Sequence, residues 1–150
     1  MLQDALLAYA HYFSIIATAA LLVAEAALCR PTLNRDTVKR LGQVDLLYLG
    51  AAIFALTTGL LRVFFGIKGS AFYLHNPVFY VKIGLFILVA LISIAPTLQF
   101  IRWARAIAPS PDNTISLQEI TKASRFIYVE LGILALLPLC GALMARGFGY

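Results

Sequence analysis

The sequence carries little charge and lacks the common catalytic motifs. Of its 150 residues, 13% are charged, 61% are hydrophobic, and only two are histidines. Soluble domains average about 25% charged and about 45–50% apolar residues, so an ordinary soluble protein is not expected. The motifs HExxH and GxSxG, the Walker phosphate loop and the glycines of a dinucleotide-binding turn are all missing. These absences argue against a zinc protease, a serine hydrolase and a nucleotide-dependent enzyme.

Cysteine is equally scarce. Cys29 and Cys140 are the only two. They are predicted to lie near opposite faces of the membrane, too far apart for an intramolecular disulfide. No CxxC or CxxCH motif is present, which argues against a thioredoxin-like centre and against covalent haem attachment.

What the sequence does contain is four long apolar runs. Each reaches the roughly 20 residues that a helix needs to cross the hydrocarbon core of a bilayer. We therefore predict an all-α, integral membrane four-helix bundle, forming a single transmembrane domain over residues 1–150. The first run follows Asp4 and no basic residue, so we expect a retained helix rather than a cleaved signal peptide. Pro138 is expected to kink the fourth helix. The predicted helices cover residues 5–28, 45–65, 77–101 and 118–146.

The basic residues predict an orientation. Eight of the 12 Lys and Arg residues lie in the connectors after the first and third helices or in the polar start of the fourth helix, and segments with such a basic excess face the cytoplasm. Both termini are then on the outer (periplasmic) side of a bacterial inner membrane. The net charge of +5 reflects this topology, and no nucleic-acid partner is expected. The eight residues are Arg30, Arg35, Lys39, Arg40, Arg102, Arg105, Lys122 and Arg125.

Small residues follow one face of the second helix. Ala51, Ala55 and Gly59 recur every four positions, a spacing that allows two helix backbones to approach closely. The pattern predicts tight helix packing, including a homodimer through this face. The alternative is space beside the helix for a flat cofactor.

Four nitrogen-bearing side chains are predicted to gather near the outer face. His11 lies about 9 Å and Lys82 about 8 Å into their helices from that face, with Arg62 and His75 nearby. Ionisable groups inside transmembrane helices often mark function. We take Lys82 and His11 as candidate catalytic residues, all four as candidate cofactor-binding residues, and His11 as a candidate metal ligand. The alternatives are a packing role for His11, a structural role for His75 and a Lys82 side chain that reaches outward to the interface.

Carboxylates gather toward the opposite face. Glu25 ends the first helix there and Asp45 begins the second, so we expect ion pairs with arginines of the basic connectors. Glu130 lies deeper, in the fourth helix, and a role in proton binding is the alternative for it.

Three segments carry a family resemblance. They are "AHYFSIIATAALLVAEAALCR", "TTGLLRVFFGIKGSAFYLHNPVFYVK" and "SIAPTLQFIRWAR". Together they resemble a bacterial family of four-helix membrane proteins known only as a domain of unknown function. That resemblance implies a fold and no activity.

A more distant resemblance implies a chemistry. An early histidine in helix one, a "TG" late in helix two and an aromatic-x-x-Lys opening helix three are similar to HemJ-type protoporphyrinogen oxidases and CopD-type membrane domains. HemJ proteins are four-helix membrane proteins associated with haem b that pass electrons to a membrane acceptor. The resemblance implies that His11 is a haem ligand and Lys82 an essential site residue. Since His11 is the only clearly helix-embedded histidine, a haem would need His75 or a non-histidine second ligand.

Two functions follow as expectations. The first is a small inner-membrane redox protein that binds haem b or another tetrapyrrole near the outer face and exchanges electrons with quinone or a membrane electron-transfer partner. The alternative is a non-enzymatic membrane module that binds lipid, quinone or metal, or scaffolds a membrane complex.

Overall fold

The computed structural model describes residues 1–108 and 114–149, and the regular elements in these ranges are all helices. The polar turn expected around residues 108–114 lies mostly outside the described residues. The six helices are α1 (Leu2–Leu28), α2 (Arg35–Phe65), α3 (Gly69–Leu74), α4 (Pro77–Ile107), α5 (Leu117–Leu134) and α6 (Leu136–Ala145).

Four helical spans are long and apolar enough to cross a membrane: α1, α2, α4, and α5 continued by α6. Short connectors make successive spans antiparallel. One end of the bundle, which we call the termini end, therefore holds both chain termini and α3. The other, which we call the basic end, holds the connectors that follow α1 and α4. The predicted all-α membrane bundle is confirmed.

The second span begins about ten residues earlier than the sequence suggested. Asn34 caps α2, because its side chain accepts a hydrogen bond from the backbone N–H of Thr37 at 2.8 Å. The helix then continues from Arg35 through the polar connector into the apolar run. Hydropathy marks only the apolar part of a helix, so the predicted start at residue 45 was wrong.

The fourth span is two helices rather than one. Its first part begins at Leu117, close to the predicted start, after the Ser116 side chain accepts from the Glu119 N–H at 3.3 Å. The break lies between Leu134 and Leu136. Pro138 explains it, because proline has no N–H and its ring conflicts with the carbonyl four residues earlier. The interruption near Pro138 is limited to Ala135, whose backbone stays in the right-handed helical region, and agrees with the expected effect of Pro138.

Asn76 closes the termini end. Its side-chain oxygen accepts from the Val78 N–H at 2.9 Å and so caps α4. Its side-chain nitrogen donates to the Phe148 carbonyl at 2.8 Å. Asn76 is fully buried, so a single amide side chain joins the start of α4 to the C-terminal segment.

The N-terminus is attached at the same end. The Asp4 carboxylate accepts a hydrogen bond from the Ile67 N–H at 3.0 Å, which holds the start of α1 against the residues before α3. Both ends of the chain therefore contact the connector between α2 and α4.

The hydrophobic core is concentrated toward the basic end. Large apolar side chains elsewhere on the spans point outward, as expected for surfaces in contact with lipid tails. The buried cluster includes Leu22, Cys29, Val38, Leu41, Phe100, Trp103, Ile107, Ile120, Ala123 and Ile127.

Candidate functional site

His11 is held in one orientation by α2. Its Nδ1 atom lies 3.1 Å from the carbonyl oxygen of Ala55 and 3.1 Å from Oγ1 of Thr58. A carbonyl only accepts hydrogen bonds, so Nδ1 must carry the hydrogen and donate. In the neutral ring, Nε2 then presents a free lone pair. This pattern, with one ring nitrogen fixed by a backbone carbonyl, is typical of histidines that bind a ligand through the other nitrogen.

Gly59 makes room for the imidazole ring. A Cβ atom at this position would lie 3.1 Å from Cε1 of His11, which is tighter than an ordinary contact. The small-residue face of α2 therefore packs on α1 of the same chain, with Ala55 buried. The homodimer predicted through this face stays a prediction: Ala55 is used by the packing within the chain, whereas Ala51 and Gly59 are only half-buried.

A cavity of about 100 Å³ lies beside His11. Its walls come from α1, α2, α3, α4 and both halves of the broken fourth span. Most of the lining is aliphatic or aromatic. The lining residues with a polar group in the side chain are His11, Thr18, Arg62, Tyr73 and Lys82; the apolar lining includes Ile15, Leu56, Leu60, Phe79, Ile83, Phe86, Leu134, Leu137 and Met144.

Two cations line this cavity without a carboxylate partner. Neither Lys82 nor Arg62 forms an ion pair within residues 1–108 and 114–149. The Arg62 guanidinium lies 5.2 Å from the centre of the Tyr12 ring, a cation–π contact that leaves its charge uncompensated by an anion. The site thus combines positive charge, an imidazole whose Nδ1 is fixed by α2, and apolar walls.

His75 does not belong to this site. It is exposed on the short connector, and its Nδ1 donates to the Ala71 carbonyl at 2.9 Å, where it ends α3. It does not line the cavity, so the structure brings together His11, Arg62 and Lys82 but not His75. The position of His75 in the sequence predicts the end of the bundle at which it lies, but not the direction of its side chain.

No metal-binding group emerges from the described part of the chain. No cluster of three or more His, Cys, Asp or Glu side chains there has a geometry that could hold an ion. If His11 bound a metal ion, the other donor atoms would have to come from a bound small molecule or from water.

The second polar region is a group of carboxyls in the other half of the bundle, which we call the carboxyl cluster: Glu25, Asp45 and Glu130. Tyr48 donates to Oε2 of Glu130 at 3.2 Å, and Thr97 donates to Oδ1 of Asp45 at 2.7 Å. The ion pairs predicted for Glu25 and Asp45 with connector arginines are not formed among the described residues, because Glu25 is buried in the bundle and Asp45 accepts from Thr97 instead. The sequence did not predict Tyr48 and Thr97 as members of this polar region. Tyr48 does lie three residues after Asp45 and thus near the same helical face.

Leu22 separates the two regions. On α1, His11, Thr18 and Glu25 are seven residues apart and share one face. Thr18 lines the cavity, whereas Leu22, one turn further on, is fully buried in the apolar core. The cavity and the carboxyl cluster are therefore distinct.

Comparison with known proteins identifies a family and no activity. The family model described as "Predicted membrane protein (DUF2214)" matches residues 3–149. Neither the search of curated proteins nor the search of solved structures finds a match, so the likeness to HemJ and CopD proteins stays a prediction. The match spans nearly the whole chain, and the protein belongs to this family of predicted membrane proteins of unknown function.

Proposed function

We propose that this protein binds a membrane-soluble ligand of the quinone class, with the polar head of the ligand in the cavity between His11, Arg62 and Lys82. The observation that carries the proposal is the combination of an unpaired lysine with an oriented, neutral histidine in a cavity that is otherwise apolar. Buried charge without a partner is costly in a membrane bundle, and it usually marks a binding site.

The polar groups of the cavity complement a quinone and its quinol. Lys82 and Arg62 are hydrogen-bond donors for a quinone carbonyl oxygen, and the positive charge strengthens these bonds. The Nε2 lone pair of His11 is an acceptor for a quinol hydroxyl. A site that supplies both donors and an acceptor accommodates either redox form.

The cavity is somewhat smaller than a single ring requires, so the surrounding side chains must move to admit one. An engineered apolar cavity of about 150 Å³ holds benzene, and the cavity beside His11 has about 100 Å³. A single substituted ring fits after a small movement of the surrounding side chains. The apolar walls, including Leu60 and Phe86, would then contact an isoprenoid tail that continues into the lipid.

Haem b, the cofactor that the HemJ resemblance implies, does not fit this cavity. Pockets that bury drug-sized ligands measure about 300–1,000 Å³, and a tetrapyrrole is at least that large. Gly59 also holds α2 directly against the ring of His11. Met144 lines the cavity and is of a type that serves as a haem ligand beside histidine, but the volume argues against the macrocycle. Haem is therefore not part of the proposed function.

The first test is an analysis of what the purified protein carries. We expect a detergent-purified sample to show no Soret band in the oxidised or dithionite-reduced absorption spectrum, and an organic extract of it to contain quinone. A Soret band that disappears in His11→Ala would overturn the quinone proposal in favour of a tetrapyrrole.

The second test uses two pairs of matched variants and decyl-ubiquinone as the probe, in equilibrium binding to purified protein. Lys82→Met should weaken binding about tenfold or more, because a hydrogen bond to a charged group contributes about 1.5–3 kcal/mol. Lys68→Met is the control, since Lys68 is an exposed cation that lies 4.3 Å from the Phe72 ring. His11→Gln is compared with His75→Gln in the same way. Equal binding by variant and control in both pairs would contradict the proposal.

We also infer that the protein lies in a bacterial inner membrane with the basic end in the cytoplasm. The support is the charge of the two connectors at that end. Single cysteines introduced at exposed Leu74 and at exposed Arg40, in a background without the native cysteines, test this. A membrane-impermeant maleimide should label intact cells at position 74 and not at position 40; the reverse pattern would refute the orientation.

A further inference from the structure

The carboxyl cluster contains two acids that the bundle leaves without adequate partners. Glu25 is 1% exposed and Glu130 is fully buried. The Oε1 atom of each is buried and accepts no hydrogen bond. The Glu25 side chain forms no hydrogen bond to any residue that the structure describes, and the Glu130 side chain has only the 3.2 Å contact from Tyr48.

The surroundings of these acids supply no positive charge. From α1, the neighbouring titratable group is Cys29; from α2, they are Asp45 and Tyr48. The polar group that α4 brings to the cluster is Thr97, which bonds Asp45. The charged groups that act on Glu25 are the two other carboxyls of the cluster. Glu25 and Glu130 therefore each lie near at least one other carboxyl.

General electrostatics then limits the charge of the cluster. An ionised carboxylate taken out of water is stable only with a counter-ion or several hydrogen-bond donors. Asp45 has the 2.7 Å hydrogen bond from Thr97 and is partly exposed, so it is the member best able to stay ionised. The Glu25 side chain has no hydrogen bond, and Glu130 has only the longer contact from Tyr48 and no exposure to solvent.

We propose that the carboxyl cluster is a proton-binding site in which Glu25 and Glu130 carry exchangeable protons at neutral pH while Asp45 is ionised. The ligand class is the proton rather than a metal ion, because the described residues offer no group of donors with the geometry of a metal site. The proposal does not depend on the quinone site, since Leu22 separates the cluster from the cavity.

The sequence offers a clean measurement, because it contains only three glutamates: Glu25, Glu119 and Glu130. Glutamate labelled with ¹³C at the side-chain carboxyl carbon gives three NMR signals in the purified, bilayer-reconstituted protein. Glu119 is exposed at the start of α5 and provides an internal reference for an ionised carboxylate. We expect one signal in the carboxylate position at neutral pH and two in the carboxylic acid position, both sensitive to exchange into D₂O.

Variants assign the signals. Glu119→Gln should remove the carboxylate signal and leave the two acid signals; this exposed substitution keeps the test usable even if a buried variant fails to fold. Glu25→Gln and Glu130→Gln should each remove one acid signal. Three carboxylate signals at neutral pH would overturn the proposal. So would the loss of the acid signals when sodium chloride replaces choline chloride, because the site would then bind a cation.

Discussion

In the half of the bundle near the chain termini, nitrogen-bearing groups line a cavity of about 100 Å³; in the other half, carboxyls are packed into the protein among apolar side chains. The interior site of each half holds ionisable groups of one kind, and ion pairs are found in neither half among the described residues. The two halves differ in how much empty space lies beside these groups. A cavity beside unpaired cations leaves room for an incoming molecule, whereas a filled interior around unpaired acids leaves room only for a proton.

The chemistry of the side chains explains why the cations lie beside a cavity and the acids are packed without one. A lysine or arginine stays charged over a wide pH range, so it needs an acceptor or an anion as a neighbour. A glutamic acid becomes neutral by binding a proton and then costs much less to bury. The difference between the halves can be tested by substitutions that join them, neutralise one of them, or weaken one contact.

The largest effect is expected from Leu22→Ala, which would join the two halves. Leu22 is fully buried, and truncation of a buried leucine to alanine costs about 2–5 kcal/mol. We expect a marked fall in the thermal midpoint in detergent. Leu46→Ala, at a largely exposed position on α2, is the control. A Leu22→Ala midpoint equal to that of Leu46→Ala would show that the apolar layer is not a structural barrier.

Lys82→Met should act in the opposite direction. It removes an unpaired charge from the cavity and keeps the length of the side chain, so the unliganded protein should become more stable, by about 1 kcal/mol or more. Thermal unfolding without added ligand measures this effect. A lower midpoint than that of Lys68→Met would mean that Lys82 already has a stabilising partner in the folded protein.

Tyr48→Phe tests a single contact of the carboxyl cluster. The variant loses the 3.2 Å hydrogen bond to Glu130 and should be destabilised by about 0.5–1.5 kcal/mol. In the background of Glu130→Gln the same substitution should cost a different amount, because the two residues are coupled. Additive effects in this double-mutant cycle would show that the contact contributes nothing.

The smallest effect concerns the reactivity of Cys29. Burial, followed by the nearby Glu25 carboxyl, raises the pKa of the Cys29 thiol to about 11. Since the thiolate is the reactive form, maleimide labelling of Cys29 in a Cys140→Ser protein should be very slow at pH 7 and should increase as the pH rises toward that value. Rapid labelling at pH 7 before denaturation, compared with a sample unfolded in detergent, would contradict the buried position.

Much of this architecture could be predicted from the sequence, because hydropathy and proline act locally. The four spans and the effect of Pro138 both follow from short stretches of chain. The depth argument also anticipated that His11, Arg62 and Lys82 lie at one level. It could not show that Gly59 receives the His11 ring, that Thr97 bonds Asp45, or that His75 points away. These contacts depend on the rotation of each helix about its axis, which an apolar pattern on nearly all sides of a helix leaves undetermined.

The hydrogen bond between Asn76 and the Phe148 carbonyl has a practical consequence for handling the protein. A C-terminal purification tag or fluorescent fusion would extend a segment that is anchored at the start of α4. The first residue of α4, Pro77, lies five residues before Lys82. A tag placed there directly would pull on the capped start of that helix, so a flexible linker after residue 150 is the safer design. At the basic end, an insertion in the connector between α4 and α5 would leave this anchor untouched.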